Sequence, residues 1–110
     1  MNQVLFIPEV REYFENLVPL LYEKGYFSYL DISQKYVKEL IDDISKNLTV
    51  KQHKPAPAHF DLYGKNMEYA GFRKNRHTMW YVFFTTYKEN SKEIYLVRYI
   101  ANNHVIAQYL

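Results

Sequence analysis

The chain contains no cysteine. This absence excludes a disulfide framework and a thiolate metal site, and it fits a reducing compartment, so we expect a cytoplasmic protein. No apolar run approaches the roughly 20 residues needed to cross a membrane, so we expect no membrane partner. The apolar stretch Val4–Ile7 is too short for a signal peptide, and no basic segment precedes it. The sequence also has no internal repeat and no low-complexity tract.

Length and composition predict one folded domain. The 110 residues suffice for one hydrophobic core but not for two, so we expect a single domain over residues 1–110. Hydrophobic residues make up 48% of the chain and charged residues 24%, as in ordinary globular proteins. The aromatic share is 18%, with 12 tyrosines. Because tyrosine joins an apolar ring to a polar hydroxyl, this excess predicts a contact-making surface or a core finished with polar tips.

The two halves of the chain carry opposite net charge. Residues 1–48 hold five Lys or Arg against eight Asp or Glu, a net charge of −3. Residues 49–110 hold nine Lys or Arg against four Asp or Glu, a net charge of +5, together with all four His. Such segregation predicts an anionic partner for the second half. The alternative is a solvated surface whose charges happen to be segregated.

The first half predicts a short strand followed by two helices. Gln3–Ile7 is β-prone and ends at Pro8, which suits the first position of a helix. That helix and a second one, beginning near Ser28 or Asp31, each carry an apolar stripe at helical spacing. The stripes are Val10, Tyr13, Phe14, Leu17, Leu20 and Leu21 in the first helix, and Ile32, Tyr36, Val37, Leu40, Ile41, Ile44 and Leu48 in the second.

Proline and glycine mark the course of the first helix. Pro19 interrupts its stripe and predicts a kink or a break, because proline removes one backbone hydrogen bond. Gly25 predicts the end of the helix. We expect Tyr26, Phe27 and Tyr29, in the short connection, to form an apolar plug between the two helices.

The second half predicts an antiparallel sheet. Residues 49–66 have no clear period, although Lys54–Pro57 is extended because proline restricts itself and the residue before it. Strands are predicted over residues 67–73, 78–87 and 94–100, and the short polar turns make consecutive strands antiparallel. The middle strand is nearly all apolar, as in a central strand covered on both faces. The fold class is α+β, with an N-terminal short strand and an antiparallel helical hairpin packed on one face of a mainly antiparallel sheet.

Cations stand beside aromatic residues throughout this second half. Cations bind phosphates and aromatic rings stack on bases, so a sheet face that mixes the two favours nucleic acid. The pairs are Arg73 after Phe72, Arg76 and His77 before Trp80, and Arg98 before Tyr99.

The order of elements resembles the RelE/ParE superfamily of type II toxins, over essentially the whole chain. The shared features are the short first strand, the amphipathic helical hairpin and the meander that ends in Ile94–Ile100. Trp80–Phe84 matches the hydrophobic pattern of a family strand, and Val97-Arg98-Tyr99 matches an aliphatic-Arg-aromatic motif. The resemblance implies a small protein neutralised by a cognate antitoxin. RelE-like members cleave mRNA on the ribosome, and ParE-like members poison DNA gyrase.

The resemblance also implies where functional residues lie. Arg76 is nearest to the strand position, here Met79 or Trp80, where RelE-like enzymes place an arginine. Among the residues aligned with a catalytic Arg or His, Asn102, Asn103 and His104, only His104 transfers protons near neutral pH. Arg73 ends a strand where a phosphate-binding cation is common, and Tyr109 matches a C-terminal tyrosine. The implied catalytic residues are His104, Arg73, Arg76 and Tyr109, with Lys74, His77 and Arg98 binding substrate.

These residue types suit RNA cleavage without a metal or other cofactor. The reaction needs a base for the 2′-OH, an acid for the leaving 5′-oxygen and cations for the phosphate. Histidine, with a pKa of about 6.5, serves either proton role, and arginine matches phosphate oxygens with a fixed fork of donors. His53 and His59 are six residues apart in the aperiodic segment, and nothing in their spacing predicts a metal site.

Several alternatives stay open at the level of sequence. A ParE-like gyrase inhibitor, or a toxin-like module that only binds a partner, would need no catalytic group. His104 is then a turn residue, and Lys74, Arg76 and His77 are solvated turn charges. Arg98 has two possible positions, over the core edge or on a ligand surface. Arg98 is predicted to share strand parity with Ile94, Leu96 and Ile100, which favours the position over the core edge.

Overall fold

The computed structural model describes residues 2–110, which form a five-stranded mixed sheet with helices packed on it. The strands are β1 (Asn2–Phe6), β2 (Lys54–Pro55), β3 (Glu68–Asn75), β4 (Thr78–Glu89) and β5 (Lys92–Asn102). The helices are α1 (Pro8–Glu23), α2 (Leu30–Asn47) and the short α3 (Asn103–Ile106), with single 3-10 turns at Leu48–Val50, Ala58–Phe60 and Ala107–Tyr109. The predicted α+β class and the N-terminal strand are confirmed.

The strand order is β1-β5-β4-β3-β2. Neighbouring strands from β2 to β5 are antiparallel, whereas β1 is parallel to β5. The short polar turns make the β3–β4 and β4–β5 pairs antiparallel, and the long helical connection after β1 makes the parallel pair possible. β2 pairs only with the start of β3, at Glu68 and Tyr69. The rest of β3 is therefore an edge.

The sheet is covered on both faces, which we call the helix-side face and the opposite face. On the helix-side face, α1 and α2 pack over alternate residues of β4, which are Trp80, Val82 and Phe84. On the opposite face, Phe83 packs with Phe60 and Ile106. β4 is thus buried from both sides, as its apolar sequence predicts.

The apolar stripes of the helices are partly mispredicted. Leu20 and Ile32 belong to the predicted stripes, yet they are 41% and 44% exposed. Ser33 is fully buried in their place. Ser33, Val37 and Ile44 lie on the buried face of α2, which packs against the sheet. Ile32 precedes Ser33 by one residue and therefore lies off this face. The orientation of the first helical turn is therefore set by the sheet beneath it and not by its most apolar residue.

Pro19 does not break α1, which runs on to Glu23. The carbonyl that loses its partner belongs to Glu15, and both Glu15 and Pro19 are exposed, so this carbonyl lies on the solvated side of the helix. Gly25 ends the helix as predicted. Its φ is +77°, its N–H donates to the Tyr22 carbonyl and the N–H of Tyr26 donates to the Leu21 carbonyl, which is a Schellman motif.

The predicted plug between the helices is wrong for two of its three residues. Tyr26 is 67% exposed and Tyr29 is 66% exposed. Only Phe27 packs inward, with its ring 5.2 Å from that of Tyr36. The connection is too short to fold all three rings under the helices.

A bulge in β5 changes the orientation of Arg98. Phe83 pairs with Tyr99 and Phe84 pairs with Val97, so Arg98 is an extra residue in the ladder. Ile100 consequently packs in the helix-side core, on the other face from Leu96. The predicted common parity of Arg98 with Ile100 is therefore wrong.

No helix among residues 2–110 combines the length and the apolar character needed to cross a membrane.

Candidate functional site

One end of the sheet brings together several of the predicted site residues. We call it the turn end, and define it as the β3–β4 turn (residues 75–78), the last residue of β5 and α3. Asn103 ties these pieces together. Its side-chain oxygen accepts from the Met79 N–H at 3.0 Å, and its amide donates to the His77 carbonyl at 3.2 Å. The turn and α3, 26 residues apart in the chain, are thus held side by side.

His104 lies at the start of α3, immediately after this tether. Its backbone N–H donates to the Asn102 side chain at 2.9 Å, which caps the short helix. Its imidazole is exposed and borders a cavity on the helix side of the turn end. An exposed imidazole beside a basic turn has the access that a proton-transfer group requires.

The two predicted catalytic arginines flank the turn. The Arg73 guanidinium donates to the carbonyls of Asn75 and Arg76, each at 3.3 Å, and so curls over the turn while remaining exposed. Arg76 and His77 are exposed as well. Because Arg73 bonds neutral carbonyls, its charge is free to meet a phosphate.

Lys74 is held on the helix-side face. A bulge between Arg73 and Asn75 makes Lys74 the extra residue of β3. Its ammonium lies 5.0 Å from the centre of the Tyr36 ring and 4.0 Å from the Glu39 carboxylate. Both neighbours draw it toward α2, so Arg73 and Lys74 serve different faces of the sheet.

Arg98 is not part of the turn end. Its guanidinium donates to the Thr85 hydroxyl at 2.9 Å and to the Tyr87 hydroxyl at 2.7 Å, on the opposite face of the sheet. Hydrogen bonding from Thr85, and then from Arg98, lowers the pKa of Tyr87. A Cβ on Gly64 would come within 2.8 Å of the Arg98 side chain, so the loop before β3 also confines it. These contacts describe a cation fixed by its neighbours.

Tyr109 also lies away from the turn end and contacts other aromatic rings. Its ring stacks on the imidazole of His59, with 3.7 Å between ring centres and 7° between the planes. The same ring makes an edge contact with Phe60, on the opposite face. The implied catalytic set is therefore divided. His104 and Arg76 lie in the turn end, Arg73 reaches over the turn from β3, and Tyr109 lies at the His59 stack.

The cavity beside His104 has a volume of about 360 Å³ and an aromatic wall. It lies between the second half of α1, the α1–α2 connection and the turn end. Inside it, the Trp80 indole N–H donates to the Tyr36 hydroxyl at 2.9 Å, and the Tyr13 ring meets the Trp80 ring edge-on at 6.4 Å. Burial raises the pKa of Tyr36, and burial followed by the nearby Tyr36 raises that of Tyr13.

Sequence reasoning missed this cavity and a second groove. The sequence predicts Tyr36 in an apolar helical stripe and Trp80 in an apolar strand. No pattern indicates that α1 and the turn end leave space between them. The second groove, of about 500 Å³, follows the exposed edge of β3 and is lined by Lys51, Lys54, Tyr69, Gly71 and Tyr81, among others. Its two lysines come from the aperiodic segment, so only the three-dimensional course of that segment could reveal them.

Tyr99, on the opposite face of the sheet, also has a raised pKa. Burial, followed by the neighbouring Tyr63, raises the pKa of Tyr99 to about 12. The two rings stack with 3.9 Å between centres. Tyr99 therefore stays protonated at neutral pH and acts as a packing residue. Among residues 2–110, no group of three or more His, Asp or Glu side chains is arranged to hold a metal ion.

Comparisons with protein-family models, with curated proteins and with solved structures give no match for this chain.

Proposed function

We propose that this chain is a RelE/ParE-type toxin that cleaves mRNA on the ribosome without a metal, in the cytoplasm, and is neutralised by a cognate antitoxin. The observation that carries the proposal is the Asn103 tether. It holds the short helix that begins with Asn103 and His104 beside the turn that contains Arg76, and the Arg73 guanidinium reaches the same turn from β3. A proton-transfer group and two phosphate-binding cations are thereby supplied by one end of one sheet.

The order of elements supports the same proposal. One short strand, two long helices and a three-stranded meander follow each other along the chain, and the helices pack on a single face of the sheet. This is the order on which the resemblance to the superfamily rests. The basic second half of the chain supplies the turn end, as a site for an anionic substrate requires.

The chemistry assigns distinct roles to the three residues. His104 takes the 2′-OH proton or gives a proton to the 5′-oxygen, since an imidazole ring nitrogen can serve as a base and its protonated form as an acid. Arg73 and Arg76 bind the phosphate oxygens and stabilise the charge that develops in the transition state. Lys74, on the helix-side face, and His77, in the turn, extend the surface that meets the RNA backbone.

The test is cleavage of mRNA on programmed ribosomes. His104→Ala should lower the cleavage rate by about two to four orders of magnitude, which is the usual share of general acid–base catalysis. It should leave RNA binding nearly unchanged, because the arginines carry the phosphate contacts. Arg73→Ala with Arg76→Ala should relieve the growth arrest caused by expression without a partner. A thermal melt of each variant must match the parent protein.

Three outcomes would overturn or redirect the proposal. Full cleavage by a folded His104→Ala variant would remove His104 from the site. Growth equal to that with an empty vector would exclude an active toxin. Arrest with DNA damage and intact mRNA would point to the ParE-like alternative, a DNA gyrase inhibitor.

A toxin-like module that only binds is the second candidate, and one observation favours it. Tyr109 stacks on His59 and Arg98 bonds Thr85 and Tyr87, so two of the implied site residues lie away from the turn end. Binding of RNA without cleavage, in both the parent protein and His104→Ala, would identify this candidate.

A further inference from the structure

The cavity beside His104 has the dimensions and walls of a ligand pocket. Its volume of about 360 Å³ falls within the range of small-molecule sites, roughly 300–1,000 Å³. Tyr26 stands at its mouth, and the rings of Tyr13, Phe27, Tyr36 and Trp80 line its interior. Flat aromatic walls favour a flat aromatic occupant.

The polar groups of the cavity are mainly donors. The side-chain oxygen of Asn75 accepts from the His77 N–H at 2.9 Å, and that of Asn102 accepts from the His104 N–H at 2.9 Å. Each oxygen is thus engaged, and the amide N–H groups remain for an occupant. The Tyr36 hydroxyl accepts from Trp80 and so has its own proton to donate. A matching occupant carries several acceptors.

The charge of the side chains around the cavity also restricts its occupant. Lys24, immediately after α1, and His104 both line it. No Asp or Glu is among the described residues that line it. An occupant that matches the Lys24 ammonium and the hydrogen-bond donors is anionic as well as flat.

We infer that this cavity binds a nucleoside monophosphate unit, with the base between the aromatic walls and the phosphate toward Lys24. The base supplies the flat ring and the acceptors, and the phosphate supplies the negative charge. The inference goes beyond the proposed cleavage and does not require it, because it depends on the cavity alone. The unit is either a free nucleotide or one residue of an RNA strand.

Trp80 provides a direct measurement. It is the only tryptophan in the chain, so its indole N–H gives a single resonance in a nitrogen-15 NMR spectrum. Titration with UMP and AMP should move this resonance saturably. Uridine and inorganic phosphate, tested separately, should each bind at least about tenfold more weakly, since each lacks one of the two groups that the cavity recognises. A short RNA with an unpaired end distinguishes the strand from the free nucleotide.

Two exposed tyrosines give a matched pair of variants. Tyr26→Ala removes a ring at the mouth of the cavity and should raise Kd by about tenfold, the effect of losing one base-stacking ring. Tyr29→Ala removes an equally exposed ring outside the cavity and should leave Kd unchanged. Lys24→Ala should also raise Kd by about tenfold, because it removes a charge-assisted phosphate contact.

The inference would be overturned by any of three results. The first is an indole resonance that does not move with UMP, AMP or RNA. The second is an equal response to inorganic phosphate alone, which would leave no role for the base. The third is a shift that Tyr26→Ala and Tyr29→Ala affect alike. Since both tyrosines are exposed, the rest of the same spectrum verifies that each variant is folded. Failure here with intact mRNA cleavage would leave the proposed function standing.

Discussion

At the scale of single residues, the most unusual side chain is Ser33. It is fully buried in the first turns of α2, and its hydroxyl has no hydrogen-bond partner among the described residues. A buried hydroxyl without a partner costs about 1–3 kcal/mol in desolvation. No polar side chain on the same face of α2 can bond this hydroxyl, because Val37, Leu40 and Ile44 are apolar.

Ser33→Ala should therefore stabilise the protein, by about 1 kcal/mol. Part of this gain is the higher helix propensity of alanine, which any exposed helical serine would also show. Ser45→Ala, on the exposed face of the same helix, measures that part alone. Urea denaturation of both variants gives the comparison. A Ser33→Ala gain no larger than that of Ser45→Ala would mean that the hydroxyl is satisfied in solution.

Single residues also mark where sequence reasoning fails. Nothing in the spacing of Ile32 and Ser33 indicates that the serine faces the core, since the sheet below decides the rotation of the helix. The stack of Tyr109 on His59 joins residues 50 positions apart. Such pairs depend on the course of an aperiodic loop, which local periodicity does not encode.

At the scale of helices and strands, the sequence predicts more of the structure than it does for single residues. The three long strands, the two long helices and their order follow from hydrophobic period and from Gly and Pro positions. β1 is also predicted, but its parallel pairing with β5 depends on long-range packing. The bulges at Lys74 and Arg98 were not predicted, because each inserts one residue into a ladder without a Gly or Pro to mark it. They decide which face these two cations occupy.

Asn103 is the residue through which two elements depend on each other. Asn103→Ala removes the acceptor of the part-buried Met79 N–H and the donor to the His77 carbonyl. We expect a loss of about 1–3 kcal/mol in the free energy of unfolding. Amide hydrogen exchange at Met79 should become faster than in the parent protein, because the turn is released from α3.

Asn103→Asp is the matched control for this tether. It keeps the oxygen that accepts from Met79, and it replaces the amide that donates to His77 with a charged oxygen that cannot donate. Its exchange at Met79 should stay close to that of the parent protein. If Asn103→Ala leaves the Met79 exchange rate unchanged, the tether does not hold the turn in place, and the assembly of the turn end needs another explanation.

At the scale of the whole molecule, the charge segregation along the chain becomes a segregation between layers. The acidic first half forms β1 and the two helices of one layer, while the basic second half forms most of the sheet and the turn end. A polyanion approaching the molecule would therefore meet attraction at the sheet and repulsion at the helices. An anionic partner would therefore be oriented before any specific contact forms.

Binding of single-stranded RNA should consequently weaken steeply as salt is raised, because phosphate contacts release condensed counterions. Each cation that contacts a phosphate contributes about 0.7 to the slope of log K against log salt for a single strand. Arg73→Ala with Arg76→Ala should reduce the steepness by about 1–2. Lys35→Ala with Lys46→Ala removes the same charge from the exposed face of α2 and should leave the slope unchanged. The measurement is fluorescence anisotropy of a labelled RNA over a salt series, with the melt of each variant checked. If both double variants reduce the slope equally, RNA responds to net charge alone and the turn end is not where it binds.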